Sequence, residues 1–561
     1  MRITPTPRIS FPGAANAHAV ARRCARASAL AVVVGLISLI AVPASALASS
    51  GQVAILQDDV GLLTNPAQTL QQMRDIGVQM VRVSVRWSFI APSPKSRIRP
   101  GFNAIDPNAY PSGSWDPYDA IVRDAKALGI QVMFVPSGFA PLWAQGPNPG
   151  RYGAKYDYEF AFEPSASQFG QFVRALGTRY SGRFRPPGSS SPLPPVSTWE
   201  LWNEPNFGED LAPQAINGSS VLYAPRMYRA LADAGWSAMH ATGHGRDTIL
   251  FGSLAGGVGA DGRPRPGAPQ GLPGTYGSTK PVEFMRELYC LDPKYHQYRG
   301  AAAAVRGCPT TAAGYRSFRA QHPVLFNASG FSDHPYPIRA APNRTDEGDP
   351  NKAEFGELPH FTQLLDRMLR VYHGKRFPVW NTEYGYITCQ PTCSHVGHPP
   401  YVSPTTAASY INWAEYLSWR NPRIYSTMQF LLNDPNPTVG TPEYGGFASG
   451  LIFYPTVLSG QPKPSYYAYR LPLYLPSTTT VHGRRLEVWG DARPATFAAR
   501  DTGQSQYVQV QFAPGSSSSW RALDTLKITS SRGYFDVRIA FPSSGSVRVT
   551  YTYPPVDAGL A

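Results

Sequence analysis

Two glutamates in this 561-residue chain stand where carboxylate chemistry has room to act. Glu204 follows Thr198-Trp199-Glu200-Leu201-Trp202-Asn203, and Glu383 follows Val379-Trp380-Asn381-Thr382. Each comes at the end of a short, mostly apolar run that reads as a strand. A carboxylate buried unpaired within such a run is costly; at the strand's end it can face solvent or a ligand. Two carboxyl groups flanking one bond can divide the labour of glycoside cleavage. One, protonated, pushes off the leaving oxygen, and the other, ionised, attacks or activates water. A retaining pair stands about 5–5.5 Å apart and an inverting pair about 6.5–9.5 Å. The bland alternative is two salt-bridged residues on a rim.

The elements around these residues alternate. Strand-like runs are expected at 53–56, 80–85, 130–135, 198–202, 248–252, 330–334, 378–382 and 426–431, with amphipathic helical runs between them. Phe169, Phe172, Val173 and Leu176 recur at the spacing of one helix face. Eight strands each followed by a helix argue for a (β/α)8 TIM barrel, an α/β fold with a parallel sheet. No Gly-x-Gly-x-x-Gly turn follows the first strand, so a dinucleotide fold has no support. The segments after strands are long and rich in Pro, Gly, Trp and Tyr, which is where a barrel builds its site. Strands four and seven lie nearly opposite, so Glu204 and Glu383 would meet across the mouth. After Pro476 the pattern becomes short alternating runs without an evident helix, predicting a small antiparallel β-sandwich over 477–561 behind a barrel over 49–476.

The Trp-Asn-Glu-Pro at strand four and the Thr-Glu-Tyr-Gly at strand seven resemble clan A of the retaining glycoside hydrolases, nearest to glycoside hydrolase family 39 or family 5-like cellulases. The resemblance covers the barrel. It implies Glu204 as acid/base, Glu383 as nucleophile, and Asn203 as the partner of a sugar 2-hydroxyl. Arg82, in Val81-Arg82-Val83-Ser84-Val85-Arg86-Trp87, resembles the arginine that keeps the nucleophile ionised, with Arg86 a competitor for that role. His334 and Tyr336, in Asp333-His334-Pro335-Tyr336, resemble the pair lining the site from strand six. An arginine beside Glu383 would lower its pKa, and a tyrosine hydroxyl would orient it. One departure is plain: strand eight carries Met428-Gln429-Phe430 where many clan members have a tryptophan. Trp87, Trp143, Trp202 and Trp380 are candidates to stack on sugar rings, Trp143 foremost, with core packing the alternative for each. Asp58 and Asp59, after strand one, are candidates for outlying hydroxyls or a cation, or else a solvated turn.

Composition narrows the setting. Five arginines precede an apolar run over 30–42, and Ala44, Ala46 and Ala48 follow it. That is the pattern of a secretory signal peptide over 1–48, too short for a comfortable membrane span, with an uncleaved anchor as the rival. Those five arginines and no acidic residue lie in 1–48, so the formal charge of +14 becomes +9 without them. No basic stripe interleaved with aromatics remains, so nucleic acid is not an expected partner. Cys290, Cys308, Cys389 and Cys393 remain, an even count in an exported chain. Of three pairings the local ones are favoured, Cys290–Cys308 and Cys389–Cys393, over a four-thiolate zinc site. The expected protein is a secreted or cell-envelope hydrolase of a poly- or oligosaccharide, with no metal or organic cofactor. A carbohydrate-binding protein on a retired barrel and a transglycosylase using the same residues are the competing readings.

Overall fold

The structure, a computed structural model, describes residues 49, 51–147, 158–216, 219–256, 277–346, 348–388, 401–436 and 447–554. The segment expected to be an export signal lies outside these residues, as do Cys389 and Cys393. Eight parallel strands form a sheet: β1 (Val53–Gln57), β2 (Met80–Arg86), β3 (Gln131–Ser137), β4 (Thr198–Glu200), β5 (Thr248–Ala255), β6 (Gly330–His334), β7 (Val379–Asn381) and β8 (Ser426–Phe430). They are ordered β7-β6-β5-β4-β3-β2-β1-β8. The ring closes through a parallel bridge from Val379 to Ile424, just ahead of β8. The Tyr425 N–H donates to the Val379 carbonyl at 2.9 Å, and the Ser426 hydroxyl to that of Asn381 at 2.8 Å. The chain is therefore a (β/α)8 barrel.

Local chemistry explains the alternation. In β2, Val81, Val83 and Val85 are fully buried, while the intervening Arg82 reaches partners on β1, on β4 and just past β7 inside the ring. Helix Asp116–Leu128 ends on Gly129, whose φ of 70° relieves the last turn without a Cβ clash. Helix Ala166–Arg179 starts on Ser165, whose hydroxyl accepts from the Gln168 N–H. Its predicted apolar face is buried throughout. The long stretch between β5 and β6 folds into further helices, Pro281–Leu288, Gly300–Ala304, Ala312–Gln321 and Val324–Asn327, and a Cys290–Cys308 disulfide ties the end of the first to the segment just after the second. Among the described residues no helix is long and apolar enough to cross a membrane.

Two three-stranded antiparallel sheets follow the barrel. One is β9 (Leu473–Tyr474), β10 (Arg485–Asp491) and β13 (Tyr534–Ala540); the other is β11 (Tyr507–Pro514), β12 (Arg521–Lys527) and β14 (Gly545–Thr550). Val488, Val508, Val510, Phe535 and Ile539 form the core between them. β9 lies ahead of Pro476, so the C-terminal sheet begins earlier than the change of pattern in the sequence suggests. A helix, Ala495–Thr502, also stands where none was expected. Its signature is a proline before it and Gly503 in the left-handed region after it, with φ of 64°. Phe497 carries this helix onto the barrel, under the guanidinium of Arg74 at 5.0 Å.

Candidate active site

The carboxylates converge at the C-terminal end of the barrel strands. Glu204 comes just past β4 and Glu383 just past β7, and between them stands His334, the last residue of β6. The His334 Nδ1 lies 2.9 Å from Glu204 Oε1 and 3.6 Å from Glu383 Oε2. Oxygens of both glutamates and a nitrogen of His334 all lie within 4.8 Å of one another. The Tyr336 hydroxyl donates to Glu383 Oε2 at 3.1 Å. His334, Tyr336, Glu204 and Glu383 are thus brought together at the barrel mouth.

Arg82 is the hub. It is wholly buried, and every N–H of its guanidinium has a partner. Nε donates to Glu200 at 2.6 Å. Nη1 donates to Gln57 at 2.6 Å and also to Glu383. Nη2 donates to Asn203 Oδ1 at 2.8 Å and faces His334 Nε2 at 3.4 Å. Five donors meet five acceptors, so a full charge is held in the interior. Arg86, by contrast, is exposed and lies over the rings of Phe89 and Phe139, so of the two arginines it is Arg82 that contacts Glu383. Because Asn203 spends its carbonyl oxygen on Arg82, its amide hydrogens remain for a ligand.

These contacts divide the two glutamates. Glu383 receives hydrogen bonds from a cation and a hydroxyl, both of which favour its ionised form. Burial nonetheless pushes its pKa above the ordinary value, against the opposing pull of His334 and Arg82. The expectation that Arg82 would set Glu383 low is therefore corrected: its pull is present, but desolvation exceeds it. Among the described residues Glu204 touches no cation, and burial together with the nearby charges of Glu209 and Glu200 pushes it up to about 7, although Arg82 opposes this. Burial, with Arg82 close by, pulls His334 down to about 4, so the imidazole is neutral. Arg82 only donates, which makes Nε2 the acceptor and puts the ring hydrogen on Nδ1, directed at Glu204 Oε1. The proton of a neutral Glu204 is then left to Oε2.

The backbone at the end of β4 is strained. Trp202 and Glu204 both have positive φ, 76° and 36°, a region bulky residues seldom occupy. The surroundings hold them there. The amide of Asn206 donates to the Ala255 and Thr279 carbonyls, and its carbonyl accepts from the Ala255 N–H, stapling this turn to the end of β5.

The tryptophans fall elsewhere. Trp87 is buried, stacks on Phe172 at 5.7 Å and packs against the helix layer rather than facing the carboxylates. Trp143 meets Trp87 and Phe102 edge-on, and its N–H donates to the Pro92 carbonyl at 3.0 Å. Trp380 packs over Gly330 and toward Tyr425. Trp202, buried as well, meets Phe169 edge-on at 5.1 Å, and all four follow the core-packing alternative. Asp58 caps helix Asp59–Thr64 and accepts from the Asn433 N–H, while Asp59 accepts from Gln57 and the Ser84 N–H. Neither is a free cation ligand. The aromatic surface beside Glu383 comes instead from Tyr336, Phe430 and the part-exposed Phe447, whose ring lies 5.2 Å from Tyr336 and 5.5 Å from Phe430.

Several site residues escape motif reading. Glu200, fully buried, holds Arg82 and accepts from the Thr382 hydroxyl at 2.7 Å; the charge of Arg82, against its burial, keeps its pKa below the ordinary value. Its signal was present, an acidic residue among Trp199, Leu201 and Trp202, which only a buried cation could satisfy. Gln57 and Ser253, the latter 3.1 Å from His334 Nε2, carry no such signal. The cluster of Glu204, His334 and Glu383 is also tight enough to hold a metal ion. The guanidinium of Arg82 already supplies positive charge to Glu383 and stands beside His334, which disfavours a cation there.

No family model matches the chain, and no curated protein matches it in sequence. Solved structures do resemble it. One is a family 39 glycoside hydrolase from the gut symbiont Bacteroides cellulosilyticus WH2, at 15% identity over 88% of this chain and 80% of that chain, with a TM-score of 0.43. A glucosidase from Croceicoccus marinus matches at 11% identity over 89% and 95%, with a TM-score of 0.44. A family 1 β-glucosidase from Thermotoga maritima matches at 13% over 73% and 85%, with a TM-score of 0.43.

Proposed function

We propose that this chain is a retaining glycoside hydrolase acting on a poly- or oligosaccharide. The observation that carries the reading is the pair of carboxyl groups across the barrel mouth, with oxygens within 4.8 Å of each other. That spacing suits direct attack by one carboxylate; an inverting pair needs about 6.5–9.5 Å to admit water. In the first step Glu204 gives its proton to the glycosidic oxygen as that oxygen leaves. Glu383 attacks the anomeric carbon from the opposite face, and a glycosyl ester forms. In the second step a water loses its proton to Glu204 and attacks the same carbon, which frees Glu383 and restores both groups. His334 orients Glu204 without competing for its proton. Arg82 and Tyr336 hold Glu383 in line and stabilise its charge when the ester breaks. The Asn203 amide is placed to donate to a hydroxyl adjacent to the reacting carbon.

The reading includes export, with a signal over 1–48. N-terminal sequencing of protein recovered from the medium or envelope should begin near Ser49, and an intact Met1 there would remove export by cleavage. The central test is a screen of aryl glycosides, followed by proton NMR of the first-formed sugar. Retention of anomeric configuration is expected. Inversion would overturn the double displacement, and no turnover of any glycoside would overturn the function.

A further inference from the structure

A second cavity lies apart from the carboxylates, between helix Pro404–Arg420 and the C-terminal sheets, with a volume of about 660 Å³. Small-molecule sites commonly span about 300–1,000 Å³. Its aromatic wall comes from both sides of the junction. Trp413 of the helix and Tyr474 of β9 stack with planes 13° apart and centroids at 6.0 Å. Tyr410, one turn back on the helix, meets Trp413 at 6.4 Å. Among the described residues the Trp413 N–H and the hydroxyls of Tyr410 and Tyr474 have no hydrogen-bond partner in the protein, yet none is sealed from solvent. The hydroxyls of Thr405, Thr478 and Ser544 line the same space. Among the described residues no acidic or basic side chain lines it, in a chain with 51 basic and 37 acidic residues.

That lining selects a chemistry. An anion would find no counter-charge there, which disfavours phosphates, nucleic acid and uronic acids. A purely aliphatic ligand would cover the indole N–H and the hydroxyls without pairing them, at a cost for each. A neutral sugar meets both demands, since its C–H face lies on an aromatic ring while its hydroxyls bond at the edges. We propose that this cavity is a second binding site for a neutral saccharide, which holds the polymer while the barrel mouth acts on it. The choice of a substrate polymer as occupant rests on the glycosidase reading; the choice of a neutral saccharide rests on the cavity alone.

The test uses the full chain carrying Glu383→Gln, which binds without turnover. It is run by affinity electrophoresis through gels containing xylan, galactomannan or mixed-linkage β-glucan, with polygalacturonate as the anionic control. At least one neutral polymer should retard the protein. Adding Trp413→Ala, or Ser544→Arg to place a charge in the cavity, should each weaken that retardation about tenfold, the scale of 1.4 kcal/mol. In the otherwise wild-type chain the same two substitutions should leave aryl-glycoside turnover unchanged, which shows that each variant is folded. Retardation indifferent to both substitutions, by polygalacturonate alone, or by none of the neutral polymers would overturn the proposal. Binding of a proline-rich peptide lost with Trp413→Ala, without any polysaccharide binding, would assign the cavity to a peptide instead. If the wild type turns over no glycoside but Trp413-dependent retardation persists, the glycosidase reading falls and the cavity stands. Normal turnover with indifferent retardation gives the reverse.

Discussion

Among the described residues, two of the buried arginines each meet two carboxylates, and they lie at opposite ends of the barrel. At the mouth Arg82 meets Glu200 and Glu383. At the base Arg493 meets Glu415 and, at 3.2 Å, Asp491. Tyr534 donates to Glu415 at 3.1 Å, and Arg493 Nε to the Tyr469 carbonyl at 2.5 Å. The base cluster joins β10 and β13 of the C-terminal sheets to helix Pro404–Arg420, and Arg493 packs against Gly77, ahead of β2. What separates the clusters is access. The Glu204 and Glu383 side chains keep 16% and 10% of their exposure, whereas Glu415 and Asp491 keep 3% and 1%. The mouth also carries strained backbone and an amide, that of Asn203, with hydrogens to spare. The same ion-pair chemistry thus stands at the proposed reaction site at the C-terminal ends of the strands and in a fastening at the other end.

The largest effect expected from breaking this symmetry is Glu383→Gln. It should cut aryl-glycoside turnover by roughly a thousandfold or more, because no ester can form. Circular dichroism should show the chain still folded, since Gln keeps the contacts with Arg82 and Tyr336. A variant retaining a tenth of the activity would remove Glu383 from the chemistry. Glu204→Gln should follow, with a loss on the order of 10²–10⁴-fold on substrates with poor leaving groups. Its sharper signature is in pH. A carboxyl raised to about 7 is protonated below that pH, so kcat/KM should fall as pH rises through it. The Gln variant should lose that limb on activated aryl glycosides, whose departure needs no proton. Persistence of the limb would place the titrating group elsewhere.

How far the fold and the site were legible comes down to the same contrast. The strand ends carrying Glu204 and Glu383 could be read because a carboxylate after an apolar strand is locally conspicuous, and because eight such strands admit few closures. Arg82 was readable for the same reason. Glu200 obeyed the same rule, yet its importance depends on a partner 118 residues away. The tryptophans were misplaced because periodicity does not say which layer a strand-end ring enters; Trp87 turns toward Phe172 and so into the core. Helix Ala495–Thr502 was hidden among strands because its apolar partner is Arg74's helix, Pro66–Asp75, far away in the chain. Local cost is visible in a sequence; the identity of the distant group that relieves it is not.

At the base, Arg493→Met should leave Glu415 and Asp491 buried without their cation, at about 3–5 kcal/mol of unfolding free energy. Turnover per folded molecule should be unchanged. Arg82→Met should cost stability on the same scale and abolish turnover as well. If Arg493→Met lowers kcat in molecules that remain folded, the two ends are coupled and the division between reaction site and fastening fails. Urea unfolding beside active-site titration separates the outcomes.

The smallest of these effects is expected between the two ends, at the Cys290–Cys308 disulfide. It closes a loop of 18 residues, which chain entropy values at about 3 kcal/mol. The same loop has a second fastening. Arg229, fully buried and without an ion-pair partner among the described residues, donates to the carbonyls of Leu288, Arg306 and Gly307. Burial pulls its pKa down to about 10, so it stays charged at neutral pH. With Arg229 in place, the reduced loop keeps its native path, and the double Cys290→Ser, Cys308→Ser variant should lose about 3 kcal/mol or less with turnover intact. Arg229→Met should cost more, because it leaves the buried Leu288 carbonyl and the half-buried carbonyls of Arg306 and Gly307 short of a donor. The disulfide and Arg229 hold one loop, so their combined loss should depart from the sum of the two. Strict additivity in urea unfolding would show that they fasten independent parts of the segment between β5 and β6.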